Sequence, residues 1–252
     1  LTFVLFVIGI YDDIHGLNPY RKLFYCSLVF ALAYVLNNDL VIVSFYSSTI
    51  DFQFELESFS YVFTIICFLL ILNALNMFDG INLQVGKLTL LFFIIIFLYG
   101  NFQLFSLILI ICILNILILN SSNKLFLGDS GVFVIAAIIS FILIEQNSYN
   151  QDVFKPELIF IIFIIPGIDM IRLFIIRLIR NQNPFLPDRE HLHHLLLRYH
   201  SFLATTLIIQ SLIVVPILIE IIFGNFILSI LTSLIAYIFL IVSLNLKIKI
   251  KK

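Results

Sequence analysis

Four short polar runs interrupt a chain that is otherwise lipid-like, and each carries side chains able to hold a phosphate, a metal ion or a proton. They are Asp12-Asp13 within GIYDDIHGLNPYRKL, the run Asn73, Asn76, Asp79 and Asn82 within NALNMFDGIN, Asp129 within LGDSG, and Arg189, His191, His193 and His194 within DREHLHH. A charged side chain at the bilayer centre costs roughly 2.5–3.5 kcal/mol even on a lenient scale. Such groups inside apolar surroundings therefore point to a site.

Each run admits a chemical and a structural reading. Adjacent carboxylates at a helix end cannot both point the same way, so one of Asp12 and Asp13 can hold a cation while the other takes a proton or positions a phosphate. The plain alternative is an acidic loop end in water. Asn73, Asn76, Asp79 and Asn82 recur every three residues, which on a helix gives one polar stripe suited to sugar hydroxyls, a base edge or a metal–diphosphate cluster, or else to polar contact between helices. Gly128 to Gly131 sets small residues around Asp129 at the expected start of a helix, where free N–H groups favour anions and the carboxylate can ligate a hard cation such as Mg²⁺. An ordinary helix cap is the competing reading. The histidines stand beside Arg189 with no cysteine partner, which fits diphosphate capture first, structural hydrogen bonding second and zinc last. Asp169 and Arg172, one helical turn apart, read as an intramembrane pair that orients this histidine loop.

The elements that must position these groups are membrane helices. Of the 252 residues, 62% are hydrophobic and 12% charged, with 28 phenylalanines, and the mean hydropathy is +1.16. A soluble domain of this size needs far more polar surface, so the fold class expected is an all-α polytopic membrane protein. Apolar runs predict nine spans, near 1–11 (partial), 22–37, 59–77, 87–100, 102–119, 132–146, 158–179, 202–223 and 225–246. Residues 38–58 alternate apolar and polar types and predict a short extracytoplasmic β-hairpin. When sides are alternated along this list, every one of the 14 basic residues except Lys155 falls in one set of compartments. The positive-inside rule makes that set cytoplasmic, and all four polar runs lie on the same face. Cys26, Cys67 and Cys112 sit in apolar runs without zinc or redox spacing, and no disulfide is expected. The chain opens at Leu1 inside an apolar stretch too short to cross about 20 residues' worth of hydrocarbon, which suggests a span that has lost its start.

Taken in order, DDIHGLNPYRKL, NALNMFDGIN, FLGDSG, and PGIDMIRLFIIR followed by NPFLPDREHLHH resemble the polyprenyl-phosphate N-acetylhexosamine-1-phosphate transferases along nearly the whole chain. The PDREHLHH form is similar to the N-acetylglucosamine branch, the alternative being the branch that transfers phospho-N-acetylmuramoyl-pentapeptide. The resemblance implies one transmembrane transferase domain over 1–252, without the family's N-terminal spans. It also implies a multi-pass protein of the cytoplasmic membrane whose active site faces the cytoplasm. The implied reaction passes a sugar 1-phosphate from a UDP-N-acetylhexosamine to polyprenyl phosphate, with UMP leaving. By family position, Asp129 and Asn76 hold Mg²⁺, with Mn²⁺ as its substitute, and Asp12 and Asp13 hold or deprotonate the lipid phosphate. Lys22 pairs with phosphate, Asp79 and Asn82 lie near the nucleotide or metal, and Asn73 binds substrate. Arg189, His191, His193 and His194 meet the donor's phosphates or sugar. The partners implied are the UDP-sugar, the polyprenyl phosphate, the bilayer and a second copy in a homodimer, with no nucleic acid. The sequence departs from the family pattern at Leu83-Gln84, where Gly-Leu is usual, and at Leu195, where arginine is common. An ion-coupled transporter and a non-catalytic scaffold are the readings from other classes. A transporter would place its ionisable groups near mid-bilayer in two related halves.

Overall fold

The computed structural model of the chain describes residues 1–149, 155–184 and 189–250. All nine apolar stretches form helices: α1 (Thr2–His15), α2 (Pro19–Leu36), α3 (Ser60–Phe78), α4 (Gln84–Tyr99), α5 (Gln103–Ser121), α6 (Gly128–Tyr149), α7 (Pro156–Ile179), α9 (Phe202–Phe223) and α10 (Phe226–Ile250). Six of them are long and apolar enough to cross a membrane, namely α3, α5, α6, α7, α9 and α10. The expected count of nine spans is therefore not reached among the described residues. The reason is length and polarity: α1 has 14 residues and α4 has 16, and α2, with 18, carries Arg21 and Lys22 in its first turn. A further short helix, α8 (Leu192–Leu197), lies inside what reads from sequence as a loop.

The predicted hairpin is present. Strands β1 (Ser44–Ser47) and β2 (Phe52–Glu55) pair antiparallel, with Phe45 opposite Phe54 and Tyr46 opposite Gln53. Phe45 and Phe54 stack at 4.9 Å between ring centroids, and Phe45 meets Phe63 of α3 at 5.8 Å. The hairpin is also tied down by polar contacts: Asn147 of α6 donates to the Ser44 carbonyl at 2.7 Å, and Ile42 N–H donates to Thr64 of α3 at 2.9 Å.

The chain divides into two compact units, residues 1–156 and 157–252. In the first, α6 is the central helix, packed on α1 and α3, while α4 pairs with α5. Its position shows in burial: more than half of the apolar stretch of α6 is enclosed, whereas most of α5 is exposed. Phe30 of α2 stacks on Phe68 of α3 at 4.5 Å. Close approach of α1 to α6 depends on Gly9, because a Cβ there would overlap the Ser130 backbone. In the second unit α9 packs on α10, and α8 rests on both.

Local chemistry sets the helix starts. Asn18 accepts from Tyr20 N–H at 3.0 Å just before Pro19, and Ser201 accepts from Ala204 N–H at 3.3 Å at the head of α9. Both pairings satisfy donors that the first turn leaves open.

Candidate functional site

In the first unit, three of the four polar runs come together around one ammonium group. The Nζ of Lys22, near the start of α2, lies 2.6 Å from Asp12 Oδ2 and 2.9 Å from Asp129 Oδ2. The Asn76 amide, oriented so that both its ends are satisfied, donates to Asp129 and accepts from Lys22 Nζ at 3.0 Å. The Phe133 ring lies 4.9 Å beneath the same ammonium. Lys22 and Asp12 are both largely enclosed, their side chains 12% and 6% exposed. An ion pair this sheltered is held far more strongly than one in water. Asp12 Oδ1 also accepts from Leu17 N–H at 2.6 Å, so the turn after α1 holds the carboxylate in place.

Asp13 points the other way, as adjacent carboxylates must. Its two oxygens accept from the N–H groups of Asp129 at 2.8 Å and Ser130 at 3.1 Å, so a carboxylate from α1 caps the first turn of α6. The donors expected to face an anion thus face Asp13. Gly128 makes room for it: its φ is +63°, and a Cβ there would lie 2.9 Å from Asp13 Oδ2.

The NALNMFDGIN stripe is only partly helical, because α3 ends at Phe78 and Asp79 is its C-terminal cap. Asn73 turns its amide back to the Leu69 carbonyl at 2.8 Å, leaving Asn76 as the stripe residue that joins the lysine cluster. Asp79 is half-buried, and its carboxyl is pushed up to about 7 by burial and by the nearby charges of Asp129 and Asp13. Asn82 leaves the stripe and donates to Asn123 at 2.8 Å. The neighbouring Leu83 takes a left-handed backbone, φ 71°, held by Asn120, whose side chain accepts from Leu83 N–H at 2.6 Å. Asn120 and Asn123 are site-supporting residues that sequence reasoning missed; the NSSN break across the end of α5 was their visible signal.

In the second unit the histidine run is organised by Asp169. Its Oδ2 lies 2.8 Å from His191 Nδ1, its Oδ1 accepts from Arg172 at 2.8 Å and from Tyr237 Oη at 2.7 Å, and Leu192 N–H reaches it at 3.2 Å. Arg172 also donates to the Glu190 carbonyl at 2.7 Å, fixing the residue before His191. The Asp169–Arg172 pair orients the loop as its spacing suggests. Tyr237 was not anticipated, although Ser229, Ser233 and Tyr237 recur every four residues along α10 and are all buried.

His193 is 1% exposed, its ring parallel to that of His191 with centroids 5.5 Å apart. Burial, reinforced by His194 and His191, lowers its pKa to about 3, so it stays neutral at physiological pH. It can offer a hydrogen bond, but not a charge. Arg189 is exposed at the head of the run, and its carbonyl accepts from Arg198 at 3.3 Å. Leu195 is buried. Residues 185–188, Asp188 among them, lie outside the described residues.

Among the described residues no three His, Cys, Asp or Glu side chains converge as a metal cluster. The lysine cluster instead offers two carboxylates and one amide oxygen. These are hard donors of the kind Mg²⁺ and Mn²⁺ prefer.

Comparison with known proteins gives a consistent set of relatives. The profile described as glycosyl transferase family 4 matches residues 1–147, which contain the whole lysine cluster. The chain is similar to proteins named undecaprenyl-phosphate alpha-N-acetylglucosaminyl 1-phosphate transferase. With that of Yersinia pestis it is 29% identical over 206 residues, 77% of this chain and 56% of the relative. With that of Escherichia coli K12 it is 31% identical over 159 residues, 59% of this chain and 43% of the relative. With that of Haemophilus influenzae it is 29% identical over 209 residues, 78% and 58% of the two chains. The chain thus spans about half the length of these relatives.

Proposed function

The chain belongs to glycosyl transferase family 4, and on that premise we propose that it transfers N-acetylhexosamine 1-phosphate, as GlcNAc 1-phosphate, from a UDP-sugar to undecaprenyl phosphate at the cytoplasmic face of the membrane. One observation carries the reading: Asp12, Lys22, Asn76 and Asp129, from three runs far apart in sequence, meet at one enclosed cation site. A phosphoryl-transfer enzyme needs positioned charge rather than covalent chemistry, and this is what the cluster supplies.

In the proposed reaction an oxygen of the lipid phosphate attacks the β-phosphorus of the UDP-sugar. The bond from that phosphorus to the oxygen bridging it to the α-phosphate breaks, and UMP leaves with the bridging oxygen. Lys22, released from one of its carboxylates, is placed to pair with the lipid phosphate at the membrane surface. Asp12, freed of part of that ion pair, would receive the acceptor's proton where the phosphate arrives as monoanion. Asp13 keeps α1 and α6 in register through its bonds to the Asp129 and Ser130 N–H groups. Asp129 and Asn76 would hold Mg²⁺, which would supply charge neutralisation for the diphosphate. Asp79, Asn82 and Asn73 would lie toward the nucleotide. Arg189, His191, His193 and His194 would meet the donor's diphosphate or sugar, Arg189 by charge and His193 by a neutral hydrogen bond.

The test is a transfer assay in membranes with a radiolabelled UDP-sugar. Asp129→Ala should abolish Mg²⁺-dependent transfer while membrane insertion and protein level stay normal. Near-normal turnover would remove Asp129 from the site.

A further inference from the structure

The last long helix carries a residue that nothing in the four polar runs anticipates. Tyr237 of α10 is 3% exposed, and its hydroxyl sits between two charges: it donates to Asp169 Oδ1 at 2.7 Å and accepts from Arg172 Nε at 2.7 Å. Without it, the partner left to Arg172 Nε among the described residues is Asp169 Oδ1, at 3.3 Å. The same carboxylate holds His191 by Nδ1 and takes Leu192 N–H, and the same guanidinium holds the Glu190 carbonyl. The three consecutive residues 190–192 thus hang on one Asp–Arg pair whose geometry the phenol completes.

We propose that Tyr237 is a positioning residue for the histidine run: it locks the Asp169–Arg172 pair in the arrangement that fixes His191 through Nδ1 and leaves Nε2 as the ring atom available to a ligand. A carboxylate in an apolar helix persists only when its lone pairs are filled, and here the phenol fills one of them. A neutral imidazole has one donor and one acceptor nitrogen, so a carboxylate on Nδ1 decides which tautomer forms. The proposal rests on the reading that this run receives the UDP-sugar.

Tyr237→Phe keeps the ring and its packing and removes only the hydroxyl, so a merely space-filling role predicts no effect. In the full-length protein, histidine ¹⁵N spectra, with His191 identified through its loss in His191→Gln, should show an Nδ1-protonated ring. Tyr237→Phe should shift that signal toward a tautomer mixture and raise the KM for the UDP-sugar roughly tenfold, the order expected for a lost hydrogen bond to a charged group. The KM for polyprenyl phosphate should not move. Asp169→Asn, which keeps the shape and removes the charge, should move the same signal. An unchanged His191 signal in either variant, with protein level intact, overturns the proposal. A shifted signal with unaltered donor KM in both Tyr237→Phe and His191→Gln upholds Tyr237 as the positioning group and overturns instead the assignment of the run to the UDP-sugar.

Discussion

At the scale of single residues, His193 and Asp79 lie outside the spans and are shifted in opposite directions. His193 is held neutral by burial, so its contribution to donor binding is a hydrogen bond, whereas Arg189 contributes charge. His193→Ala and Arg189→Ala should each lower kcat/KM for the UDP-sugar by about ten- to a hundredfold and leave the KM for the lipid phosphate little changed. Salt should weaken donor binding less in Arg189→Ala than in the native protein, since the screened interaction is gone. A loss confined to the lipid's KM would assign the run to the other substrate. Asp79 has its carboxyl raised from 3.8 to about 7 in the fold, so the native state favours the protonated form. The sign follows: Asp79 adds no penalty below about 4, and the cost of ionising it grows from there to about 7 and persists above. Asp79→Asn should therefore raise the unfolding temperature at pH 8 relative to the native chain, with little difference at pH 4. Equal shifts at both pH values would contradict the assignment. Residue types were the most legible layer of this protein. Asp12, Lys22, Asn76 and Asp129 are visible as polar breaks in an apolar chain, but their convergence on one ammonium is a long-range contact that no local pattern encodes.

At the scale of elements, the prediction falls on the α1–α6 contact. Gly9 lets the Ser130 backbone sit where a side chain would be, and both Asp12 and Asp13 ride on the same helix. Gly9→Ala must push α1 away from α6, costing about 1–3 kcal/mol by overpacking and moving two carboxylates off their partners. Reduced thermal stability together with lost transfer is the expected result, read by unfolding in detergent and by the membrane assay. Gly167→Ala on α7, where a Cβ meets nothing within 4 Å, is the matched control and should be silent. All nine apolar stretches were legible as elements because hydrophobic run length is a strong signal, and the hairpin was legible from its alternation. Three details were not. That Asp79 and Asn82 leave the helix is hidden because they continue the three-residue polar rhythm of Asn73 and Asn76 past the last turn of α3. The short α8 is hidden by the polarity of the histidines that begin it. Ser229, Ser233 and Tyr237 of α10 are hidden because they lie in an apolar run without a charge, although their four-residue spacing is a buried face.

At the scale of the whole molecule, the separation of basic residues expected from the sequence carries a prediction of topology. Cysteine labelling should reach positions in 181–198 only from the cytoplasm and positions in 39–57 only from outside; labelling of both from one side would contradict the alternation of spans. The most direct test of the central claim uses a UDP-N-acetylglucosamine that carries ³²P at the β-phosphate and tritium in the sugar, incubated with Mg²⁺, undecaprenyl phosphate and membranes holding the full-length protein. The account predicts a lipid-soluble product with ³²P and tritium in equal proportion, unlabelled UMP as the released nucleotide, and neither product from the Asp129→Ala protein. Tritium entering the lipid without ³²P, or UDP as the nucleotide released, would mean that the sugar travels without its phosphate and would contradict it.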